Sequence, residues 1–223
     1  MKKTASFLLS LQIIVITIVF CLIASACAEP FTLHSGVSFG MSHTEVADKE
    51  KNANFEVGPY ENNSWAGEMC IRINGTIAGA SGAHIDYLFN NNDFLHEAIY
   101  TLSKNVNYNQ IFSTLQSKYG QNNLNQDWQD TWTAHSKYLS HAVGGCAIVY
   151  SIEQIDVSTW LIQQDNGYYV SIDLVYMMLS DRNGTEPRIY IAYSYFSQDE
   201  INKIINDAKA ADEEYHNQMN DDL

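Results

Sequence analysis

Positive charge is scarce in this chain of 223 residues: 12 Lys and Arg stand against 26 Asp and Glu, a formal net charge of −14. So acidic a protein repels nucleic-acid phosphates and anionic membrane surfaces, so no nucleic acid is expected as partner, and no membrane insertion beyond a lipid anchor. Solubility, or attraction for basic partners and cations, remains as the use of the charge. Cysteine is also rare. Of four in all, Cys21 and Cys27 fall in the first 28 residues, leaving Cys70 and Cys146 in the body of the chain. In an oxidising compartment these two form a candidate disulfide, against the alternative of two buried thiols. After residue 28 no apolar run approaches the ~20 residues of a membrane-spanning helix. Catalytic motifs are missing too. There is no Gly-x-Ser-x-Gly elbow or His-Glu-x-x-His pair, and Gly79-x-x-Gly82 lacks the lysine of a phosphate loop. The seven histidines are scattered. His84 and His96 are expected on facing arms of one hairpin, but two ligands fall short of a zinc site. No cofactor or metal is expected.

What is present begins with an export signal over residues 1–28. Lys2 and Lys3 form a positive start, Phe7 to Ile23 an apolar run, and Ala26-Cys27-Ala28 a small-x-small cleavage site before Glu29. Cleavage and release is the favoured route. The alternatives are a lipoprotein acylated on Cys27, for which Ala24 is a poor substitute for the usual branched residue, and an uncleaved anchor. All place the protein outside the cytoplasm, secreted or on the cell surface. Loss of Lys2 and Lys3 takes the net charge from −14 to −16.

Three capping boxes organise the remainder. Met-Ser-His-Thr-Glu-Val at 41–46, Val-Asn-Tyr-Asn-Gln-Ile at 106–111 and Phe-Ser-Gln-Asp-Glu-Ile at 196–201 each give a cap, a returning acid or amide, and a flanking apolar pair. They predict helices over about 43–53, with Val46, Ala47 and Glu50 facing inward, over 108–119, ended by Gly120, and from 198 to about 216. Between them, Cys70 to Ile73 reads as a strand closed by an Asn74-Gly75 turn, and 61–67 as a loop. Ile85 to Phe89 pairs with Leu95 to Leu102 across Asn90–Asp93. In the second half Cys146 to Ile152, Val157 to Gln163, Tyr168 to Met177 and Ile189 to Tyr195 read as strands, with a turn at Asp165-Asn166-Gly167. The order predicts an α+β fold: antiparallel sheet built from hairpins, helices on one face, two α-β repeats (29–104 and 105–196) and a closing helix with an acidic tail (197–223).

The stretch Phe31-Thr-Leu-His-Ser-Gly-Val-Ser-Phe-Gly-Met-Ser-His-Thr-Glu-Val46 resembles the opening of a group of uncharacterised secreted proteins of Gram-positive bacteria. Their mature chains open with F-x-F/L-x-x-G-V-x-F-G-M-S/T, here matched at Phe31, Gly36, Val37, Phe39, Gly40, Met41 and Ser42. His34 departs from the basic residue usual there, and Lys118-Tyr119-Gly120 is a second point of likeness. The resemblance implies fold and address, with no site residue to carry over. The element order is also similar to two-repeat modules of the β-lactamase-inhibitor type.

Aromatic residues supply the functional expectation. Trp128 and Trp132, on one face if their segment is extended, and Trp160 are candidate binding residues, because indoles and phenols dominate recognition surfaces. Strands also favour aromatics as core, so burial is the competing account of each. Two functions are compatible with these residues. One is a non-enzymatic extracytoplasmic module that binds a protein or peptide, for instance as an inhibitor. The other is a hydrolase whose carboxylates and histidines meet only in the fold. On the export reading, protein recovered from its host has an intact mass beginning at Glu29. A mass carrying a diacylglyceryl group on Cys27 would replace it with the lipoprotein reading.

Overall fold

The computed structural model describes residues 31–63, 67–77, 79–102, 105–122, 151–181, 184–204 and 206. The leader with Cys27, the pair Trp128 and Trp132, and Cys146 lie outside the described residues. The helices and strands all belong to the unit Thr32–Leu223.

Seven strands form one antiparallel sheet: β1 (Glu56–Asn63), β2 (Glu68–Ile77), β3 (Ala80–Phe89), β4 (Leu95–Leu102), β5 (Ser151–Gln163), β6 (Tyr169–Asp181) and β7 (Gly184–Phe196), in the order β1-β2-β3-β4-β7-β6-β5. With helices α1 (His43–Asn52), α2 (Tyr108–Tyr119) and α3, which begins at 198, this is the expected α+β architecture. The strands of both halves of the chain belong to one sheet, joined where β4 pairs with β7.

All three helix starts lie where the caps place them. Ser42 Oγ accepts from the Glu45 N–H, and the Ser42 N–H donates to Glu45 Oε2 at 2.8 Å. Ser197 and Glu200 repeat the exchange at 3.3 and 2.7 Å. Asn107 accepts from the Gln110 N–H at 3.3 Å, and Gly120 ends α2 with φ +84°. Hydrogen bonds to Leu95 from the chain just before α1 tie that helix to β4: the Gly40 N–H donates to the Leu95 carbonyl and the Leu95 N–H to that of Met41.

Helix α1 turns Val46 and Glu50 into the core, both 0 % exposed. A buried carboxylate persists only when its lone pairs are filled. The Tyr87 hydroxyl donates to Glu50 Oε1 at 2.7 Å, the Ser35 hydroxyl to Oε2 at 2.8 Å, and His34 Nδ1 lies 3.0 Å from Oε2. Burial alone would raise the Glu50 pKa, but the bonds from His34, Tyr87 and Ser35 together outweigh it and hold the carboxyl below its usual value. Ser35 accepts a left-handed backbone, φ +52°, to reach its position.

Four expectations are corrected. Asn74 and Gly75 lie inside β2, opposite His84 and Ala83, and the turn falls beyond Ile77. Gly75 is glycine because the Phe55 ring lies over it: an added Cβ would meet that ring at 2.8 Å. Residues 61–63, expected as loop, close strand β1. That strand sits at the sheet edge and skips register between Val57 and Tyr60, across Gly58-Pro59, a place where proline forfeits no ladder bond. The break expected between Ile152 and Val157 is absent, because β5 runs on through a bulge between Ile152 and Gln154. Finally, the helices do not share one face. Glu50 of α1 reaches Tyr87, and Phe112 of α2 packs 5.7 Å from the Trp160 ring, on the face that Tyr87, Tyr100 and Trp160 share by register. Ile201 and Ile204 of α3 instead cluster with Leu161, Tyr169 and Phe196, which alternate onto the opposite face.

Replacing Glu50 by alanine leaves His34, Ser35 and Tyr87 donors facing an empty site. Breaking a buried pair in this way costs roughly 3–5 kcal/mol, so urea denaturation at neutral pH should show a loss of that order. Because the folded carboxyl is held low, its stabilisation is complete above the unfolded value and fades as pH falls through the folded one. The wild-type advantage therefore shrinks in acid. A loss below about 1 kcal/mol at pH 7 would show that the cluster is not what anchors α1.

Candidate site at the end of the sheet

A cleft of about 600 Å³ opens where the β3–β4 turn, the start of β6, the end of β7 and the start of α3 converge. The turn is built by short polar side chains. Asn90 Oδ1 accepts from the N–H groups of Asn92 and Phe94 at 2.9 and 3.1 Å. Asp93, in a left-handed conformation with φ +63°, accepts from the Tyr60 hydroxyl at 3.0 Å and lies 2.7 Å from His43 Nδ1. His43 stacks flat on Tyr60 at 3.9 Å. Burial pushes the Asp93 carboxyl up, but the bonds from His43 and Tyr60 carry it below its usual value, so the turn is held by a charged acceptor. The hydrogen-bonded turn presents Phe94, 51 % exposed, to solvent at the cleft.

Tyr168 and Tyr195 also line the cleft, their rings stacked at 4.7 Å with an interplanar angle of 2°. Phe39 continues the stack at 5.1 Å behind Tyr195. Tyr168 remains 40 % exposed. Asn166, in the β5–β6 turn, donates to the Tyr195 hydroxyl at 3.0 Å and so orients it.

Carboxylates line the cleft on the other face of the sheet, since Glu97 and Ser194 alternate onto the face opposite Tyr195. Glu97 of β4 faces Ser194 of β7 across the ladder, and the Ser194 hydroxyl donates to Glu97 Oε1 at 3.2 Å. Only 7 % of Glu97 is exposed, and burial, with added repulsion from Glu68 and Asp173, pushes its pKa up to about 7 despite the opposing pull of His96 and Ser194. Beside it His96 Nε2 meets Glu68 Oε2 at 2.8 Å. His96 owes its position to a bulge: Leu88 pairs with Glu97 and Phe89 with Leu95, so His96 is the extra residue of β4. Glu200 also lines the cleft while its Oε2 caps α3. Behind Glu97 the same face of the sheet carries buried Ser171, Asp173 and Thr159, with Thr159 donating to Asp173 at 2.6 Å.

The residues singled out from the sequence fare differently. Trp160 is 1 % exposed, under α2, with its Nε1–H donating to the Gly120 carbonyl at 2.8 Å. It is a core residue and offers no face to a partner. Cys70 is a free, buried thiol, pushed up by burial and by Asp86. Cys146, its expected partner, lies outside the described residues. His84 and His96 do not face each other: His84 stands opposite Thr101, about 17 Å along the strand from His96. Among the described residues no three His, Cys, Asp or Glu side chains converge as metal ligands would. Nor is any described helix long and apolar enough to cross a membrane.

Sequence reasoning missed Glu97, Phe94, Tyr168 and Tyr195. The one local signal was Glu97 itself, an acid within the apolar run Leu95 to Leu102 of a strand with neighbours on both sides. Comparison with protein-family models, with curated proteins and with solved structures gives no match for this chain.

The Glu97 carboxyl binds a proton more tightly folded than unfolded, so folding stability falls as pH rises from about 4.5 to about 7 and is flat above. A rise of that size corresponds to about 3 kcal/mol. Glu97→Gln should remove this slope and be the more stable protein at pH 8, as read from denaturation midpoints at pH 5 and 8. Parallel pH profiles for the two proteins would show that Glu97 is solvated.

Proposed function

We propose that this chain is a non-enzymatic extracytoplasmic binding module, exported by the leader at 1–28 and related to the secreted Gram-positive proteins that its opening resembles. Its partner is a protein or peptide, and the cleft at the end of the sheet is where it binds. The observation that carries this reading is the exposure of Phe94 and Tyr168 in the lining of one cleft, with Tyr168 stacked flat on Tyr195. Rigid aromatics lose little conformational freedom on binding, which is why they anchor recognition surfaces. Of the expected tryptophans only Trp160 is described, and it is core; the reading therefore rests on phenyl and phenol groups.

Glu97 supports a second reading. A carboxyl that titrates near neutrality in a cleft, beside a histidine and a serine, suits a general acid of a hydrolase. Hydrolysis between two carboxyl groups also needs a base or nucleophile facing the substrate. Glu200 is committed to its helix cap and Glu68 to His96, which favours binding over turnover.

The test is capture. The protein, exported with its own leader and tagged at its C-terminus, is used to recover partners from host culture supernatant. A partner held by the parent should be lost from Phe94→Ala and Tyr168→Ala, both exposed positions whose loss leaves the core intact. Retention of the partner by both variants moves the binding surface elsewhere. Hydrolysis of peptide or glycan substrates that Glu97→Gln abolishes would establish the enzyme instead.

A further inference from the structure

We infer that the end of the β4–β7 ladder is a proton-operated latch, closed over a neutral Glu97 and opened locally when that side chain ionises. Such a latch operates whatever the cleft receives. The two buried glutamates differ in what surrounds them. Glu50 is met by the Tyr87 hydroxyl, the Ser35 hydroxyl and His34 at 2.7, 2.8 and 3.0 Å, so its anion is satisfied in place. An ionised carboxylate has about four acceptor sites to fill. Among the described residues Glu97, 7 % exposed, is offered one donor, the Ser194 hydroxyl at 3.2 Å. An anion there must take its remaining bonds from water, and parting of the strands is what admits it.

The neighbouring charges act in the same direction. Glu68 on β2 and Asp173 on β6 oppose ionisation of Glu97, and Glu200 on α3 lines the same cleft. His96 on β4 favours the anion, but its Nε2 is already held by Glu68 at 2.8 Å. The residues directly opposite on β3 and β7, Leu88 and Ser194, bring no charge. Burial leads these effects, and the carboxyl titrates at about 7.

Position in the fold keeps the response local. Glu97 opposite Ser194 is the last rung of a ladder whose other end is Leu102 opposite Ile189. One residue further, His96 is the bulged residue of β4, and Leu95 bonds to Gly40 and Met41 instead of to β7. A terminal rung with no pairing beyond it opens at lower cost than the buried middle of the ladder. The seam also runs through the cleft: Phe94, His96 and Glu97 stand on the β4 side, and Ser194, Tyr195 and Phe196 on the β7 side. Parting of the strands changes the spacing between these two groups, so the charge on one carboxyl sets the shape of the cleft.

The test is amide hydrogen exchange, followed by NMR on the exported protein between pH 5 and pH 8 and corrected for the intrinsic rate at each pH. A carboxyl displaced from 4.5 to about 7 makes opening on the order of fiftyfold more frequent at pH 8 than at pH 5. Protection of the amides among residues 96–98 and 193–195 that cross the seam should fall by about that factor. Their exchange should be insensitive to dilute urea, as expected of an opening that exposes little surface, whereas Tyr100 and Ile191 in mid-ladder stay better protected and respond to urea. Glu97→Gln should make protection at the seam's end flat across this range. Glu68→Gln removes one repelling charge and should move the midpoint to lower pH, which a merely structural Glu97 would not do. Protection independent of pH, a Glu97→Gln profile parallel to the parent's, an unmoved midpoint in Glu68→Gln, or end residues that exchange only with the whole fold would each overturn the latch. No partner enters the measurement, so its outcome is separate from that of the capture experiment.

Discussion

Everything distinctive about this protein depends on the ladder between β4 and β7. Without it, β1 to β4 and β5 to β7 would be two separate antiparallel groups, each with an open edge of unpaired backbone groups. The pairing runs from Glu97 opposite Ser194 to Leu102 opposite Ile189, joining residues more than 85 positions apart. Closing so long an intervening chain is entropically unfavourable until the sheet can bury its apolar rows. The residues that make it favourable are Ala98, Ile99, Tyr100, Ile191 and Ala192, all buried at the seam. The same ladder delivers the site, because its last rung is Glu97 against Ser194.

The first helix shows how one polar group can fix a large element. Glu50 is more demanding than a leucine in the same place, since any displacement of α1 by an ångström or two would strand its charge among Tyr87, Ser35 and His34. Apolar packing tolerates sliding, and a carboxylate with directional donors does not. The 3-10 turn His34–Gly36 is held in return: the His34 N–H donates to the Tyr100 hydroxyl at 2.9 Å, and the His34 ring meets Phe55 edge-on at 4.5 Å. The segment before α1 is thereby stitched to β3 and β4. Val37, Met41 and Ser42 lie in this region, which gives their place in the chain a structural reason.

What the sequence disclosed was local. A Ser or Asn followed three residues later by Glu or Gln states a helix start within a single turn of chain, and all three such starts are real. Asn90 to Asp93 and Asp165 to Gly167 likewise carry their turns in their own side chains. Wherever the answer lay in a distant neighbour, the reading failed. Asn74-Gly75 has the composition of a hairpin turn, but Phe55 covers Gly75 and β3 pairs across both residues, so tertiary context overrides turn propensity. Strand β1 was invisible because a Gly-Pro pair in mid-strand is tolerated only at an edge, and edge position is not local information. The cleft was illegible for the same reason. Phe94 and Tyr168 are far apart in sequence, and His96 is aimed by a bulge that no spacing rule announces. Trp160, the candidate chosen for its residue type, packs under α2 because the large side chain that best covers a sheet is also the one that best binds a partner.

Electrostatics in the cleft explains why an acidic surface need not be a featureless one. Most of the carboxylates here are solvated or engaged: Glu45 and Glu200 cap helices, Asp86 meets Arg72 in a two-bond pair at 2.7 and 2.8 Å, and Asp93 holds its turn. Such groups are already stable as anions and gain little from a further cation in water. Glu97 differs because its burial makes the anion unfavourable, by roughly 3 kcal/mol on the scale of its displaced titration. Two changes relieve that penalty, a proton on the carboxyl or water admitted to it, and the first keeps the ladder closed while the second parts it. A group held in an unfavourable state by the fold therefore responds to the medium more strongly than the many acids around it. That difference, and not the size of the net charge, is what can make one cleft on this protein sensitive to pH.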